Sequence, residues 1–341
     1  MADCSDRGTL SGAVVRLACI LVIAILGACV SPRYGIERTD DRIVLLNQAD
    51  GIRAKIAPDE GGELTGLEVL HDGQWIETLY LAGDYSTREG WTGKAPLLWP
   101  AVGRTVDGFE VDGERYAMPG HGFARDNAWS VESVGESPYA RAVLSLEDSA
   151  ETRAVYPFGF RIELEHQLVD GAYGAVYTVI AKEQNTHAMP FAMGNHITFN
   201  TPLLPGSDYR EMIFRTPSSE RLLQANMGAP DPPRAPRSHA EGIRLEEWEI
   251  KEPISLTGYP GKPWMELEDP SGLTMRIEHS ASVEPREPSI AFNVWGDPPN
   301  GYFSPEPWVG VQNALNLPYG RIELEPGESF KWSISVYAVE K

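Results

Sequence analysis

Two histidines and one glutamate stand out by the residues that flank them. His121 stands between two glycines, His196 interrupts the otherwise apolar segment of residues 189–200, and Glu306 is held between two prolines. A histidine can exchange a proton near neutral pH, and an ionised glutamate can accept one. The three residues are therefore candidates for general acid–base catalysis. The alternative for either histidine is a structural role, in which the ring only satisfies hydrogen bonds of its own turn or of the core.

A second group of residues could bind a substrate that carries hydroxyl groups. The guanidinium fork of an arginine grips oxygen atoms, a polar amide inside an apolar run must be hydrogen-bonded or functional, and an indole offers a flat apolar face. The predicted substrate-binding residues are Arg104, Arg125, Asn195, Trp295 and Trp308. The alternatives are a surface salt bridge for Arg104 and core packing for the tryptophans, of which the chain has 9.

The sequence disfavours several other kinds of site. The histidines and the glutamate lack the short spacings of a metal-binding motif, and no phosphate-binding glycine loop, nucleophile elbow or dinucleotide fingerprint is present. We therefore predict neither a metal nor a cofactor. The 3 cysteines, Cys4, Cys19 and Cys29, all lie near the N-terminus, which excludes a cysteine nucleophile from the rest of the chain. A net charge of -20 argues against a nucleic-acid partner.

Alternation of apolar and polar residues predicts β-strands through most of the chain. The alternation is clearest at residues 161–168, 273–277, 321–325 and 332–336. The 33 glycines and 27 prolines fit many short strands with tight turns, and we find no long run with helical period. The proline-rich residues 229–238 are expected to form neither strand nor helix. The prediction is one all-β domain over residues 41–341, built from two large packed sheets.

The N-terminal segment predicts export and lipid attachment. An apolar run from Leu17 to Ala28 follows Arg16 and ends in Leu-Gly-Ala-Cys, which resembles a bacterial lipobox. We predict a lipoprotein signal peptide over residues 1–28, a lipidated Cys29 and a short polar tether over residues 29–40. The protein would then be anchored to a bacterial membrane, on the periplasmic side or at the cell surface. The alternative is an ordinary signal peptide that happens to precede a cysteine.

Four separated segments together resemble the aldose 1-epimerase, or galactose mutarotase-like, family. In chain order they are Gly103-Arg104, Pro-Gly-His-Gly-Phe-Ala-Arg at 119–125, Gly-Asn-His at 194–196 with Phe199-Asn200, and Glu-Pro-Trp at 306–308. Each segment alone is a weak signal, whereas their order and spacing on an all-β background are fairly specific. The resemblance covers roughly residues 40–340. The His-Gly-Phe-Ala-Arg and Glu-Pro-Trp motifs most resemble those of less studied branches of the family, including hexose-6-phosphate epimerase-like members.

The resemblance implies a β-supersandwich and an isomerase that interconverts the α and β anomers of an aldose by opening the ring. It implies Glu306 as the general base, His196 as the general acid, His121 as a residue that polarises or orients the sugar, and Arg104 as a hydroxyl ligand. No cofactor is needed. Some members use a further carboxylate for which this chain shows no clear match, and Asp297 and Glu266 are candidates.

Three other functions stay open at this point. A hexose-6-phosphate epimerase would use Arg104 and Arg125 to grip phosphate, although export argues against a phosphorylated sugar. A non-catalytic carbohydrate-binding domain would need aromatic residues but no proline-held glutamate. A polysaccharide lyase or hydrolase would share the fold, and a hydrolase would need a second carboxylate about 5–9.5 Å from Glu306.

Overall fold

The computed structural model describes residues 33–82, 91–223, 232–249 and 253–339. The predicted signal peptide of residues 1–28 and the predicted lipidation site Cys29 lie outside the described residues. In the described part of the chain, no helix is both long enough and apolar enough to span a bilayer.

About half of the described chain forms short β-strands, numbered β1–β26 in chain order. The first thirteen are β1 (Tyr34–Arg38), β2 (Ile43–Asn47), β3 (Ile52–Ala57), β4 (Glu63–His71), β5 (Gln74–Glu77), β6 (Leu97–Leu98), β7 (Phe109–Val111), β8 (Glu114–Tyr116), β9 (Ser130–Gly135), β10 (Ala140–Glu147), β11 (Phe160–Val169), β12 (Ala172–Ala181) and β13 (Met189–Phe191). The others are β14 (Met193–Asn195), β15 (Phe199–Asn200), β16 (Ile213–Thr216), β17 (Glu220–Leu222), β18 (Arg234–Pro236), β19 (His239–Arg244), β20 (Ile254–Thr257), β21 (Trp264–Glu268), β22 (Thr274–Ala281), β23 (Ile290–Asp297), β24 (Tyr302–Gly310), β25 (Ile322–Leu324) and β26 (Ser329–Ala338).

Helical structure is confined to short connections in the described ranges. The α-helix α1 (Ala150–Val155) starts at Ser149, whose side chain and that of Thr152 cap each other's backbone N–H groups. Single 3₁₀ turns occur at Ala124–Asp126, Tyr209–Glu211, Leu245–Glu247, Pro298–Asn300 and Ala314–Asn316.

Three large antiparallel sheets carry the architecture. A 9-stranded sheet has the order β19-β16-β21-β22-β26-β12-β11-β10-β9, and an 8-stranded sheet has the order β18-β17-β20-β23-β24-β14-β6 with β15 paired to β24. A 5-stranded sheet runs β1-β2-β3-β4-β5. The all-β prediction with two large sheets is confirmed, and the third sheet is an addition to it.

The core lies between the sheets because each strand turns alternate residues towards it. Along β11 every second residue is buried, which places Ile162, Leu164 and Leu168 inside as the sequence pattern predicted. Phe303 of β24 and Trp332 of β26 join the same apolar cluster. Burying each such side chain contributes about 1.5–3 kcal/mol, so the cluster holds the 8- and 9-stranded sheets together.

The folded part of the chain begins earlier than predicted. Tyr34–Arg38 was expected within a tether, but it forms β1 and pairs with β2, with Ile36 opposite Leu45. Tyr34 and Ile36 pack against the core, and burying these two side chains favours the strand over a solvated linker.

A strand also forms in the proline-rich segment that was expected to hold none. Arg234–Pro236 is β18, and its Ala235 pairs with Arg221 of β17. β18 is the edge of the 8-stranded sheet, where one side of the strand has no hydrogen-bonding neighbour. A proline is tolerated there because its missing N–H is not needed by a second partner.

Candidate active site

Glu306 lies on a hairpin whose two faces have different roles. β23 and β24 are joined through the Pro298–Asn300 turn, and their register places Glu306 opposite Asn293. Side chains alternate along each strand, so Phe292 and Phe303 pack into the core while Asn293 and Glu306 face away from it. Glu306 is nevertheless only 2% exposed, because its face of the sheet is covered by other parts of the site.

The same alternation separates Asn195 from His196. The Asn195 amide donates to the carbonyl oxygen of Ala95 at 2.9 Å and to the Tyr177 hydroxyl at 3.2 Å, so it points between the sheets. His196, the next residue, faces the cavity described below. The expectation that Asn195 binds substrate is therefore corrected, because neighbouring residues of an extended chain point to opposite faces.

Gly194 leaves room for the indole of Trp308. The two residues pair across β14 and β24. A Cβ on Gly194 would lie 2.6 Å from Trp308 Cδ1 and 3.0 Å from Nε1, closer than real Cβ contacts. The absence of a side chain at residue 194 therefore lets the indole lie flat beside the strand and reach Glu306.

A tight turn fixes His121 and selects the tautomer of its ring. The residue has φ 66°, and its N–H donates to the Gly103 carbonyl oxygen at 2.8 Å. The next residue, Gly122, must be glycine because a Cβ there would collide with the carbonyl oxygen of Trp99. The Gly103 N–H donates to His121 Nδ1 at 3.1 Å. Nδ1 is then an acceptor, and the neutral ring carries its proton on Nε2.

These elements enclose one cavity of about 610 Å³. The predicted site residues that line it are Arg104, His121, Arg125, His196, Trp295, Glu306 and Trp308. Arg104 is exposed at the surface, whereas Arg125 donates to the Gly120 carbonyl oxygen at 3.2 Å. The structure thus gathers every predicted catalytic residue and every predicted substrate-binding residue except Asn195.

His196 and Glu306 face each other within the cavity. His196 Nε2 lies 3.5 Å from Glu306 Oε1. The same Oε1 accepts a hydrogen bond from the Asn293 amide at 3.3 Å, and Oε2 accepts one from Trp308 Nε1 at 3.0 Å. Two donors therefore hold the carboxyl group while leaving it in contact with the histidine.

Burial moves the pKa values of this pair in opposite directions. It raises the pKa of Glu306 to about 8, although the hydrogen bonds from Trp308 and Asn293 oppose the rise. Burial, followed by repulsion from His121 and Arg125, lowers the pKa of His196 to about 3. The sequence predicts a glutamate near its reference pKa and a histidine that titrates near neutrality. Both pKa values differ from that expectation because burial excludes water from the two groups.

His121 is shifted in the same direction as His196. Burial, with a smaller contribution from the charge of Arg125, lowers the pKa of His121 to about 4. The ring is therefore neutral at physiological pH, and with Nδ1 occupied by Gly103 it presents an N–H donor rather than a proton to give away.

Four polar or aromatic lining residues were not singled out from the sequence: Trp91, Asp126, Asn293 and Gln312. Asn293 interrupts the apolar segment of residues 290–295, which is the same signal that identified His196. The other three give no such signal, since a lone polar or aromatic residue in a turn is common. The candidate carboxylates lie elsewhere: Asp297 accepts from the Asn300 N–H, and Glu266 pairs with Arg276 at 2.9 Å.

Comparison by sequence matches the chain to a family and to a curated relative. The family model described as aldose 1-epimerase matches residues 42–237. The plasmid protein LacX of Lactococcus lactis subsp. lactis is 28% identical over 157 residues, which cover 44% of this chain and 49% of LacX. The chain spans about half the length of the curated relatives it matches.

Comparison by structure finds the same fold in solved proteins. A galactose mutarotase-like protein of Clostridium acetobutylicum superposes with a TM-score of 0.73 at 20% identity, covering 90% of this chain and 98% of the other. A galactose mutarotase related enzyme of Lactobacillus acidophilus gives 0.68 at 21% identity, covering 90% and 97%. At these identities the likeness concerns the fold, and it confirms the expected β-supersandwich.

Proposed function

Because this chain belongs to the aldose 1-epimerase family, we propose that it interconverts the α and β anomers of a free aldose. The observation that carries the proposal is the 3.5 Å contact between His196 Nε2 and Glu306 Oε1 inside a cavity walled by indole rings. An acid and a base in contact can act on the two oxygens bonded to C1 of one sugar, the anomeric hydroxyl and the ring oxygen. The indole faces of Trp295 and Trp308 suit the sugar ring.

The reaction needs one proton removed and one supplied. Glu306 takes the proton of the anomeric hydroxyl, the bond between C1 and the ring oxygen breaks, and His196 protonates the ring oxygen. The product is the open-chain aldehyde. After rotation about the C1–C2 bond the ring closes on the other face of C1, and the two residues exchange roles. Each positioned acid or base contributes about 10²–10⁴-fold.

The opposed pKa shifts are compatible with these roles because the pair shares one titrating proton. A protonated Glu306 beside a neutral His196 carries as many protons as an ionised Glu306 beside a charged His196. Transfer of the proton from Glu306 to His196 converts the first form into the second. In the second form Glu306 can remove a proton and His196 can supply one. A bound sugar that hydrogen-bonds both groups would stabilise this charged form.

His121 and the arginines would orient the sugar rather than transfer protons. The Nε2–H of neutral His121 can donate to a ring or hydroxyl oxygen, since Nδ1 is held by Gly103. Arg104 can donate to hydroxyl groups from its exposed position. These contacts fix which face of the ring meets Glu306.

A second candidate is epimerisation of a hexose 6-phosphate. Arg104 and Arg125 both line the cavity, and their two guanidinium groups would favour the binding of a phosphate. They would do so although the net charge of the whole protein is -20. We prefer a free aldose as the substrate because we also propose that the protein is exported. Phosphorylated sugars are scarce outside the cytosol.

Polarimetry on freshly dissolved α-glucose and α-galactose, and NMR on their 6-phosphates, tests both candidates against the spontaneous rate. The proposal predicts faster equilibration of a free sugar. Acceleration of only the phosphates would select the second candidate. If no sugar is accelerated although glycans bind, the protein is a carbohydrate-binding domain.

We also propose that the mature protein begins at Cys29 and is anchored to a bacterial membrane through a lipid on that residue. The Leu-Gly-Ala-Cys sequence at residues 26–29 supports the proposal. Mass spectrometry of the N-terminal peptide from the membrane fraction tests it, with a Cys29→Ser variant as control. An unmodified Cys29 in wild type would contradict it.

A further inference from the structure

Four partly exposed aromatic residues form a continuous cluster that starts at the active-site cavity. The ring centroids of Trp91 and Trp295 are each 6.0 Å from that of His196, and the two indoles are 5.1 Å apart. Tyr302 lies 4.6 Å from Trp91, and Tyr80 lies 5.1 Å from Tyr302. A contiguous set of aromatic rings that stays partly exposed beside a cavity indicates a binding surface.

The hairpin of β23 and β24 sets the direction of this cluster. Tyr302 and Glu306 are on the same face of β24 because they are four residues apart, which corresponds to about 13 Å along the strand. Trp295 lies opposite Ser304, between those two positions. The aromatic surface therefore extends from the acid–base pair towards the hairpin turn over a length suited to more than one sugar ring.

The far end of the cluster opens into a neighbouring cavity. Tyr80 lines that cavity, whose volume is about 710 Å³, together with Trp75 and Asn200. Tyr80 stacks on Trp91, with 5.6 Å between the ring centroids and 15° between the planes, so the rings form one joined surface. Among the residues that the structure describes, none bonds the Tyr80 or Tyr302 hydroxyl. The surface therefore combines what a sugar ring needs, namely apolar area and hydrogen-bonding groups at its edge.

We propose that Trp91, Tyr302 and Tyr80 bind the second ring of a reducing disaccharide or longer saccharide, whose terminal ring is the one opened at Glu306. The inference rests on the proposed function. Anomer exchange needs only a free hydroxyl on C1, so a ring attached elsewhere on the terminal sugar does not obstruct it. The active-site cavity of about 610 Å³ continues into this surface, which gives the attached ring a place to lie.

The kinetic test compares a reducing disaccharide with the monosaccharide at its reducing end, using the pairs α-maltose with α-glucose and α-lactose with α-glucose. Wild type should have the higher kcat/KM for the disaccharide of at least one pair. Tyr80→Ala should lower that value about tenfold, the scale of one aromatic contact, and change the monosaccharide value less than twofold. Tyr80→Phe keeps the ring and should retain most of the preference. Tyr139→Ala is the matched control, because Tyr139 bonds Glu165 on the 9-stranded sheet.

Calorimetric titration measures the binding of the same sugars and separates this inference from the proposed function. If wild type accelerates neither sugar, but Tyr80→Ala still weakens disaccharide binding about tenfold relative to Tyr139→Ala, the second-ring site stands and the catalytic proposal falls. If mono- and disaccharide bind alike, or if Tyr80→Ala affects both equally, or if neither binds, the second-ring site is refuted whatever the catalytic result.

Discussion

His196 Nε2 lies 3.5 Å from Glu306 Oε1, and burial holds the pKa of the glutamate near 8 and that of the histidine near 3. At neutral pH the two groups together hold one exchangeable proton, so the pair is neutral overall. A neutral pair is less costly to bury than two separate charges. It can become an ionised base beside a charged acid without any exchange of protons with solvent.

The first prediction concerns the pH dependence of catalysis. The pair holds its single proton between pH about 3 and pH about 8. Below that window it gains a second proton and loses the base, and above it the last proton leaves and the acid is lost. We expect kcat/KM, corrected for the spontaneous reaction, to be flat near neutrality and to fall above pH about 8. An activity that instead rises with pH through 6.5, as for an ordinary histidine, would contradict the pair.

The second prediction concerns stability, because a buried glutamate with a raised pKa costs folding energy as pH rises. The unfolded chain ionises Glu306 near its ordinary value of 4.5, whereas the folded chain keeps the proton up to about 8. Stability from this group is therefore full below 4.5 and is lost as pH rises to about 8, by at most ~1.4 kcal/mol per unit. Glu306→Gln does not titrate, so its stability relative to wild type should increase over that range.

Urea unfolding of both proteins at about pH 5 and about pH 9 measures this difference. Glu114→Gln provides the matched control, since Glu114 is exposed on β8. A Glu306→Gln effect that is the same at both pH values would show that the carboxyl group ionises normally in the folded protein.

The third prediction concerns the space beside Gly194. In Gly194→Ala the new Cβ would displace the Trp308 indole and weaken its hydrogen bond to Glu306. We expect a loss of about 1–3 kcal/mol in stability, typical of overpacking, and a fall in kcat. Gly261→Ala is the control, because a Cβ at Gly261 meets nothing within 4 Å. Unchanged kcat in Gly194→Ala would show that the indole position does not matter for the reaction.

The fourth prediction separates two adjacent residues by their roles. Asn195→Ala leaves the Ala95 carbonyl and the Tyr177 hydroxyl without their partner, so stability should fall by about 1–3 kcal/mol while KM stays unchanged. His196→Gln should instead lower kcat by about 10²–10⁴-fold. Chemical unfolding and polarimetry on both variants give the two readings. A raised KM in Asn195→Ala, without loss of stability, would return Asn195 to the substrate site.

The positions of these residues show what the sequence could and could not predict. The polar pair at 195–196 was recognisable as an interruption of an apolar run, but the run alone did not say which member faces the cavity. That choice depends on the pairing of β14 with β24 and β6, which joins segments about a hundred residues apart in the chain. The alternation of buried and exposed residues along a strand was predictable because it depends on local sequence. The order of the strands in a sheet was not, because it depends on distant segments.

The pKa values of Glu306 and His196 could not be predicted from the sequence for a related reason. Glu306 was expected to behave as an ordinary carboxylate because its neighbours in sequence are two prolines and a tryptophan. Its environment is set instead by Asn293 across the hairpin and His196 from another strand. The proline-rich strand β18 shows the same limit, since its edge position decides whether proline is tolerated.

The most direct test of the account is the rate of anomer exchange in Glu306→Gln. The amide keeps the shape of the side chain, and its one oxygen can still accept from either Trp308 or Asn293, which donate to different oxygens of the carboxyl group, but it cannot take the anomeric proton. Polarimetry on freshly dissolved α-glucose and α-galactose, with Glu114→Gln as control, should show kcat falling by about 10²-fold or more while KM changes little. If wild type is active and Glu306→Gln is equally active, Glu306 is not the base.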